Sequence, residues 1–220
     1  SIVIPVYFNE GSIKKTYTSL RDKIFNAYPD IIFETIFVDD GSQDRSFDEI
    51  LEIKHEAENI SIIQFSRNFG QVAAIYAGYE KASGDGILNI AADLQEPLEL
   101  IHEMISSFLK KQAPIILGQR VGRDESYYRK LTSSIFYRLM RKLSFKNIPD
   151  GGFDVALISK EVKDKILALN ESNPFWQGQI LWTGFPVKFI PYSRMKREVG
   201  KSKWTFSKKI KYLLDGVLNY

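Results

Sequence analysis

The sequence predicts an α/β fold, a Rossmann-like and mostly parallel sheet with helices on both faces. Three observations lead there. Short β-branched apolar runs alternate with amphipathic, helix-length stretches through the first half of the chain. These runs are linked by helical crossovers, which join parallel strands. No repeat, low-complexity tract or linker breaks the 220 residues, so they read as one domain.

Taken in order, Ser1 to Val6 is a buried parallel strand ended by a polar turn. Ser12 is placed to cap a helix in which Ile13, Tyr17, Leu20 and Ile24 draw one apolar stripe. Strands are expected at 31–38, 61–66, 86–91 and 114–119, and helices at 46–57, 71–82 and 98–111. The second half is less regular. A long helix at 126–143 should lead to the turn Pro149-Asp150-Gly151-Gly152 and a short strand from Phe153 to Ile158. A helix starting near Ser159, a short helix at 174–182, a strand at 185–191 and a basic amphipathic helix at 205–220 complete the chain.

With 44% hydrophobic and 26% charged residues, the chain buries one substantial core. It has no apolar run of the roughly eighteen residues a membrane-crossing helix needs. Cysteine is absent, which removes disulfides, thiolate metal sites and cysteine nucleophiles and fits a reducing compartment. His55 and His102 lie in no motif and read as helix-surface residues. Charge is unevenly spread. The stretch from Arg194 to Lys211 holds eight lysines and arginines against Glu198, a net +7 that leaves −4 for the remainder of a chain whose total is +3. That asymmetry points to a polyanionic partner such as phosphate or anionic lipid.

In open parallel sheets, ligands bind beyond the carboxyl ends of the strands. Polar clusters gather at four of those ends: Tyr7-Phe8-Asn9-Glu10, Asp39-Asp40-Gly41-Ser42, Ser66-Arg67-Asn68-Phe69-Gly70 and Ala92-Asp93-Leu94-Gln95. Any one of them is ordinary turn chemistry, but four in succession on one edge describe a binding site.

Ile4-Pro5-Val6-Tyr7 with Asn9-Glu10, followed by Val38-Asp39-Asp40-Gly41-Ser42, resembles the paired nucleotide-binding signature of glycosyltransferase family 2, which has the GT-A fold; the likeness covers almost the whole chain. It implies a donor-nucleotide site of Pro5, Tyr7, Glu10, Asp39, Asp40, Arg67 and Ala92. A carboxylate at Asp40 can accept the imide N–H of uracil, and the Tyr7 ring can pack on the base. Asp39 or Asp40 can equally cap the turn that follows, and both roles are compatible. Arg67-Asn68-Phe69-Gly70-Gln71 with Ala74 and Ala77-Gly78 is similar to the branch that glycosylates polyprenyl phosphates, the small residues serving close helix packing.

Asp93 lies in a stretch resembling the family's metal-binding motif, with one departure: the first of its two usual aspartates is Ala91 here. Mg2+ or Mn2+ commonly takes one or two protein carboxylates and completes its shell from diphosphate and water, so Asp93 is the implied ligand. Gly152-Phe153-Asp154-Val155 resembles the segment carrying the family's catalytic aspartate, here Asp154; the alternative is a strand-end aspartate in a hydrogen bond. Arg194-x-x-Arg197-x-x-Gly200-x-Ser202-Lys203-Trp204 is similar to the loop that holds acceptor and diphosphate. It implies phosphate contacts from Arg194, Arg197, Ser202 and Lys203, with Gln177 on the helix bordering the acceptor.

The resemblance therefore implies residues 1–204 as an inverting transferase domain that moves a sugar from a nucleotide diphosphate, a UDP-sugar first, to a polyprenyl phosphate at the cytoplasmic face of a membrane. Residues 205–220 would form a juxtamembrane helix whose stripe of Phe206, Ile210, Leu213, Leu214 and Val217 fits a headgroup region, its own domain or a second subunit. Two other readings keep the donor site: a saccharide acceptor, against which the basic loop argues, and a nucleotide-sugar-binding domain without catalysis, which Ala91 suggests. Nucleic acid is not an expected partner, since the basic charge sits in one loop and helix with no recognition motif. A dehydrogenase is disfavoured because no Gly-x-Gly-x-x-Gly follows the first strand.

Overall fold

The computed structural model describes residues 1–121, 149, 152–171 and 174–195. Strands β1 (Ile2–Val6), β2 (Thr35–Asp39), β3 (Ile60–Gln64), β4 (Gly86–Asn89), β5 (Ile115–Arg120), β6 (Phe153–Ser159) and β7 (Val187–Tyr192) form one sheet in the order β3-β2-β1-β4-β6-β5-β7. All neighbouring pairs are parallel except those of β6, which runs against both β4 and β5. The sheet is thus mostly parallel as expected. The reversed β6 brings its first residues, not its last, to the edge where the other strands end.

Helices α1 (Ile13–Lys23), α2 (Ser46–Glu56) and α4 (Leu98–Leu109) cover one face; α3 (Gln71–Lys81), α5 (Lys160–Ala168) and α6 (Trp176–Trp182) cover the other. The division follows the period of two along each strand. Ile2, Ile4 and Val6 of β1 pack with Ile13, Tyr17 and Leu20 of α1, while Val3 faces α3. Gly78 lets α3 come down onto β1, because a Cβ there would overlap Val3 Cγ1.

One strand differs from expectation. Residues 31–34 are not part of β2, whose ladders with β1 and β3 both begin at Thr35. Ile31 and Phe33 pack against the core instead, Phe33 stacking on Phe25 at 4.6 Å, while Ile32 is left 89% exposed. The other described elements lie within a few residues of their expected limits. The helices expected at 126–143 and 205–220 fall outside the described residues.

Candidate active site

The first three strands end in loops that fasten to one another. Phe8, in a left-handed conformation with φ 53°, donates its N–H to Ser42 Oγ at 3.1 Å, and Asn9 N–H reaches Ser46 Oγ at 2.8 Å. Asp39, fully buried, accepts the Ser42 N–H at 3.2 Å. Asp40 is 2% exposed, and its carboxylate accepts Phe69 N–H at 2.7 Å, Gly70 N–H at 2.9 Å and Asn68 Nδ2 at 2.6 Å. Asp39 therefore caps the turn that follows it, one of the two roles open to it, whereas Asp40 holds the loop after β3 and not its own turn. Gly41, at φ 73°, passes so near the same loop that a Cβ would stand 2.5 Å from the Arg67 carbonyl carbon.

These loops enclose a cleft of about 440 Å³ lined by Tyr7, Ser42, Gln64, Arg67 and Asn68. The Arg67 guanidinium lies over the Phe69 ring, 4.8 Å from its centroid. Tyr7 and Arg67 thus share one opening. Pro5 sits within β1 opposite Val38, and Glu10 is drawn to the start of α2, where Oε2 accepts the Arg45 N–H at 3.3 Å. Neither side chain lines the cleft.

The central part of the edge is the β4–α4 loop. Ala92 is buried, and its carbonyl accepts Thr16 Oγ1 at 2.8 Å. Leu94 is left-handed at φ 43°. Asp93 is partly buried, and Glu96 behind it is 1% exposed. Burial raises the Glu96 pKa; nearby Arg194 opposes that and the charge of Asp93 adds to it. A carboxylate on this loop is the kind of hard oxygen ligand that Mg2+ or Mn2+ prefers. Among the described residues no three His, Cys, Asp or Glu side chains converge as a ligand cage. An ion here would accordingly take Asp93 and draw its remaining ligands from a donor diphosphate and water.

The far part of the edge is basic. Arg120, the last residue of β5, forms an ion pair with Asp154 Oδ2, and Arg194 Nη1 lies 3.4 Å from the same oxygen. The backbone joins this group to the β4–α4 loop: Met195 N–H donates to the Gln95 carbonyl at 2.9 Å, and Val121 N–H to that of Tyr192 at 2.8 Å. Gln177, on α6, donates through Nε2 to the Phe153 carbonyl beside Asp154. Trp182 is 58% exposed, whereas Phe185 is half-buried and packs against the core on the α3 face. Arg197, Ser202 and Lys203 lie outside the described residues. Sequence reasoning misses Arg120, because it ends the strand one residue short; an arginine leaving a strand at the ligand edge is the available signal.

Residues 1–167 match the model of Glycosyl transferase family 2. Over 220 residues, all of this chain and 68% of the relative, the chain is 36% identical to the uncharacterized glycosyltransferase YkcC of Bacillus subtilis. Over 221 residues, all of the chain and 71% of the relative, it is 31% identical to the bactoprenol glucosyl transferase of Shigella phage SfV. The chain spans 66 to 72% of the length of such curated relatives. A mannosyltransferase from Pyrobaculum calidifontis, solved with GDP-Man and Mn2+, superposes over 98% of this chain and 61% of its own with a TM-score of 0.66 at 11% identity. Glucosyl-3-phosphoglycerate synthase from Mycobacterium tuberculosis, solved with Mn2+, UDP-glucose and phosphoglyceric acid, does so over 98% and 78% with a TM-score of 0.61 at 14% identity. These two likenesses establish the GT-A fold. A family match that runs the length of the loop-bearing edge, from Ser1 past Asp154, makes this chain a member of glycosyltransferase family 2.

Proposed function

We propose that the chain is an inverting hexosyltransferase that moves a sugar from a UDP-sugar to a polyprenyl phosphate at a membrane surface. One observation carries the reading: Asp154 is gripped by Arg120 and Arg194 on the same sheet edge as the Tyr7–Arg67 cleft. Along that edge the order is cleft at β1 to β3, Asp93 after β4, then Asp154 with its two arginines. From β2 to β6 is three strand spacings, about 14 Å, a span suited to an extended nucleoside diphosphate bearing a sugar. The likeness to the phage bactoprenol glucosyl transferase supports a polyprenyl phosphate as acceptor.

Each residue has a task that its position supports. Tyr7 and Arg67 receive the nucleotide, held in shape by Asp39 and Asp40 beneath. Asp93 would hold Mg2+ or Mn2+, which supplies positive charge to the departing diphosphate when bound. Arg120 and Arg194 offset the negative charge of acceptor and leaving phosphates, with Arg197, Ser202 and Lys203 proposed to add to them. A phosphate monoester is already ionised near neutral pH, its second pKa being about 6, so the attacking oxygen needs no strong base. Asp154 then orients the guanidinium groups and the incoming oxygen.

The test is a panel of UDP- and GDP-sugars offered with a short polyprenyl phosphate and Mn2+, any lipid product being identified by mass. Asp154→Asn should lower turnover by about 100-fold, the cost of misplacing the reacting groups, with donor affinity nearly intact; equal turnover removes Asp154 from the mechanism. Ala91 favours one second reading, a donor-binding domain without catalysis. Calorimetric donor binding with no product from any sugar, metal or lipid would establish it.

A further inference from the structure

Asp154 stands at an interruption in the sheet. The β5–β6 ladder pairs Ile115 with Ile158, Ile116 with Leu157 and Leu117 with Ala156, but then Gln119 with Phe153. Two steps along β5 thus match three along β6, a bulge that takes in Asp154 and Val155. Phe153 and Val155, two residues apart, accordingly bury on opposite faces of the sheet. On the other side, the β4–β6 ladder ends at Asn89 and Ala156. The carbonyls of Phe153 and Asp154 therefore lie past the regular ladder, and buried carbonyls need partners.

Side chains from other elements supply them. Asn89 Nδ2 donates to the Asp154 carbonyl at 3.1 Å, and Gln177 Nε2 to that of Phe153. Behind Asn89, the Tyr79 hydroxyl of α3 donates to Asn89 Oδ1 at 3.2 Å and accepts Trp176 Nε1 of α6 at 3.1 Å. Asn89 is 2% exposed, and Tyr79, Trp176 and Gln177 are buried. The chain of bonds has only one possible direction. An indole N–H can only donate, so Tyr79 accepts from it and turns its own proton to Asn89. The Asn89 oxygen is thereby engaged, and its amide N–H must face Asp154. A network needed only to fill the core would more simply be apolar. This one ends on the Asp154 carbonyl itself, and the separate Gln177 bond fixes the Phe153 carbonyl beside it.

We propose that Asn89, its amide held in one orientation by Tyr79 and Trp176, is a positioning residue that aims the Asp154 carboxylate between Arg120 and Arg194. The inference rests on the reading of Asp154 given above. Asn89→Leu keeps the side-chain size and removes both hydrogen bonds; Tyr79→Phe removes one hydroxyl and introduces no charge. Since misplacing a reacting group by an ångström costs up to about 100-fold, Asn89→Leu should lower kcat by ~10- to 100-fold and Tyr79→Phe by ~3- to 10-fold. The UDP dissociation constant should stay within about twofold, because the cleft lies on other strands. In an Asp154→Asn background, with residual turnover followed over long incubations, the Asn89→Leu factor should shrink towards one, there being no carboxylate left to aim.

Unchanged kcat in either folded variant, or the same fold loss with and without Asp154→Asn, overturns the inference while leaving the role of Asp154 standing. Turnover unaffected by Asp154→Asn alone overturns that role, and this inference with it. Should Asn89→Leu fail to fold, as a melting scan would show, Tyr79→Phe and its double variant with Asp154→Asn decide the matter.

Discussion

Asp40→Asn exchanges one carboxylate oxygen for an amide nitrogen and removes one charge at a site that is 2% exposed. In the parent, Oδ1 receives the Phe69 N–H at 2.7 Å, while Oδ2 receives Gly70 N–H at 2.9 Å and Asn68 Nδ2 at 2.6 Å. Asparagine keeps one oxygen and sets a donor against donors at the other. Two bonds to a charged acceptor, each worth about 1.5–3 kcal/mol, are lost or weakened, and water reaching the exposed 66–69 strip offsets part of this. A net destabilisation of about 3 kcal/mol is expected, within the roughly 5–15 kcal/mol a domain commonly holds. At 2–4 °C per kcal/mol, the melting temperature should fall by about 6–12 °C. Thermal melts followed by UDP calorimetry, at a temperature where both proteins are folded, measure the two effects separately. Affinity should weaken along with stability, because Arg67 and Phe69 belong to the loop that Asp40 holds. A variant that melts within a degree of the parent yet no longer binds UDP would refute the reasoning, since its carboxylate would then be serving the ligand and not the loop.

Gly78→Ala places a methyl group on Val3 where α3 meets β1; overpacking of this kind should cost about 1–3 kcal/mol, read as a lower urea midpoint, and an unchanged midpoint would show that α3 can shift. Glu96→Gln tests the raised pKa of a buried acid. The unfolded chain releases this proton near 4.5 and the folded protein at higher pH, so parent stability is lost as pH rises from about 4.5 through the folded value. In chelator, the Glu96→Gln variant should melt like the parent at pH 4 and above it at pH 8; a constant difference would remove the titration. Ala91→Asp adds a third carboxylate near Asp93 and Glu96. It should lower the melting temperature in chelator and tighten Mn2+ binding by about tenfold or more, as measured by calorimetry in the presence of UDP.

The alternation of the β-branched runs was readable because strand and helix periods differ, and they placed β1, β3, β4 and β5 within a few residues. Residues 31–34 misled because Ile31, Ile32 and Phe33 have strand-like side chains, yet Ile31 and Phe33 pack beside Phe25 and Ile32 is left exposed. The cleft residues Tyr7 and Arg67 were legible for a topological reason: parallel strands deliver their following loops to one edge. Arg120 and Asn89 were not. Their roles depend on β6 running backwards between β4 and β5, a long-range pairing that no local pattern encodes. The work of Asp40 was similarly hidden, since its partners are three residues of a loop about thirty positions away.

Topology also gives the charge asymmetry its meaning. The +7 stretch begins at Arg194, just after β7, and β7 is the strand farthest from the cleft-bearing β3. The hydrogen bond from Met195 to Gln95 turns the start of that stretch back towards Asp93. Arg194, the first cation of that stretch, is thereby held at the end of the edge where Asp154 lies, not at the cleft of Tyr7 and Arg67. Changes at the two ends should therefore separate kinetically. Arg194→Met should raise the KM for the lipid phosphate more than it weakens donor binding, whereas Tyr7→Ala should weaken donor binding alone. A loss of donor affinity in Arg194→Met as large as that in Tyr7→Ala, with the KM for the lipid phosphate unchanged, would mean that Arg194 serves the donor diphosphate alone and that the acceptor phosphate is held elsewhere.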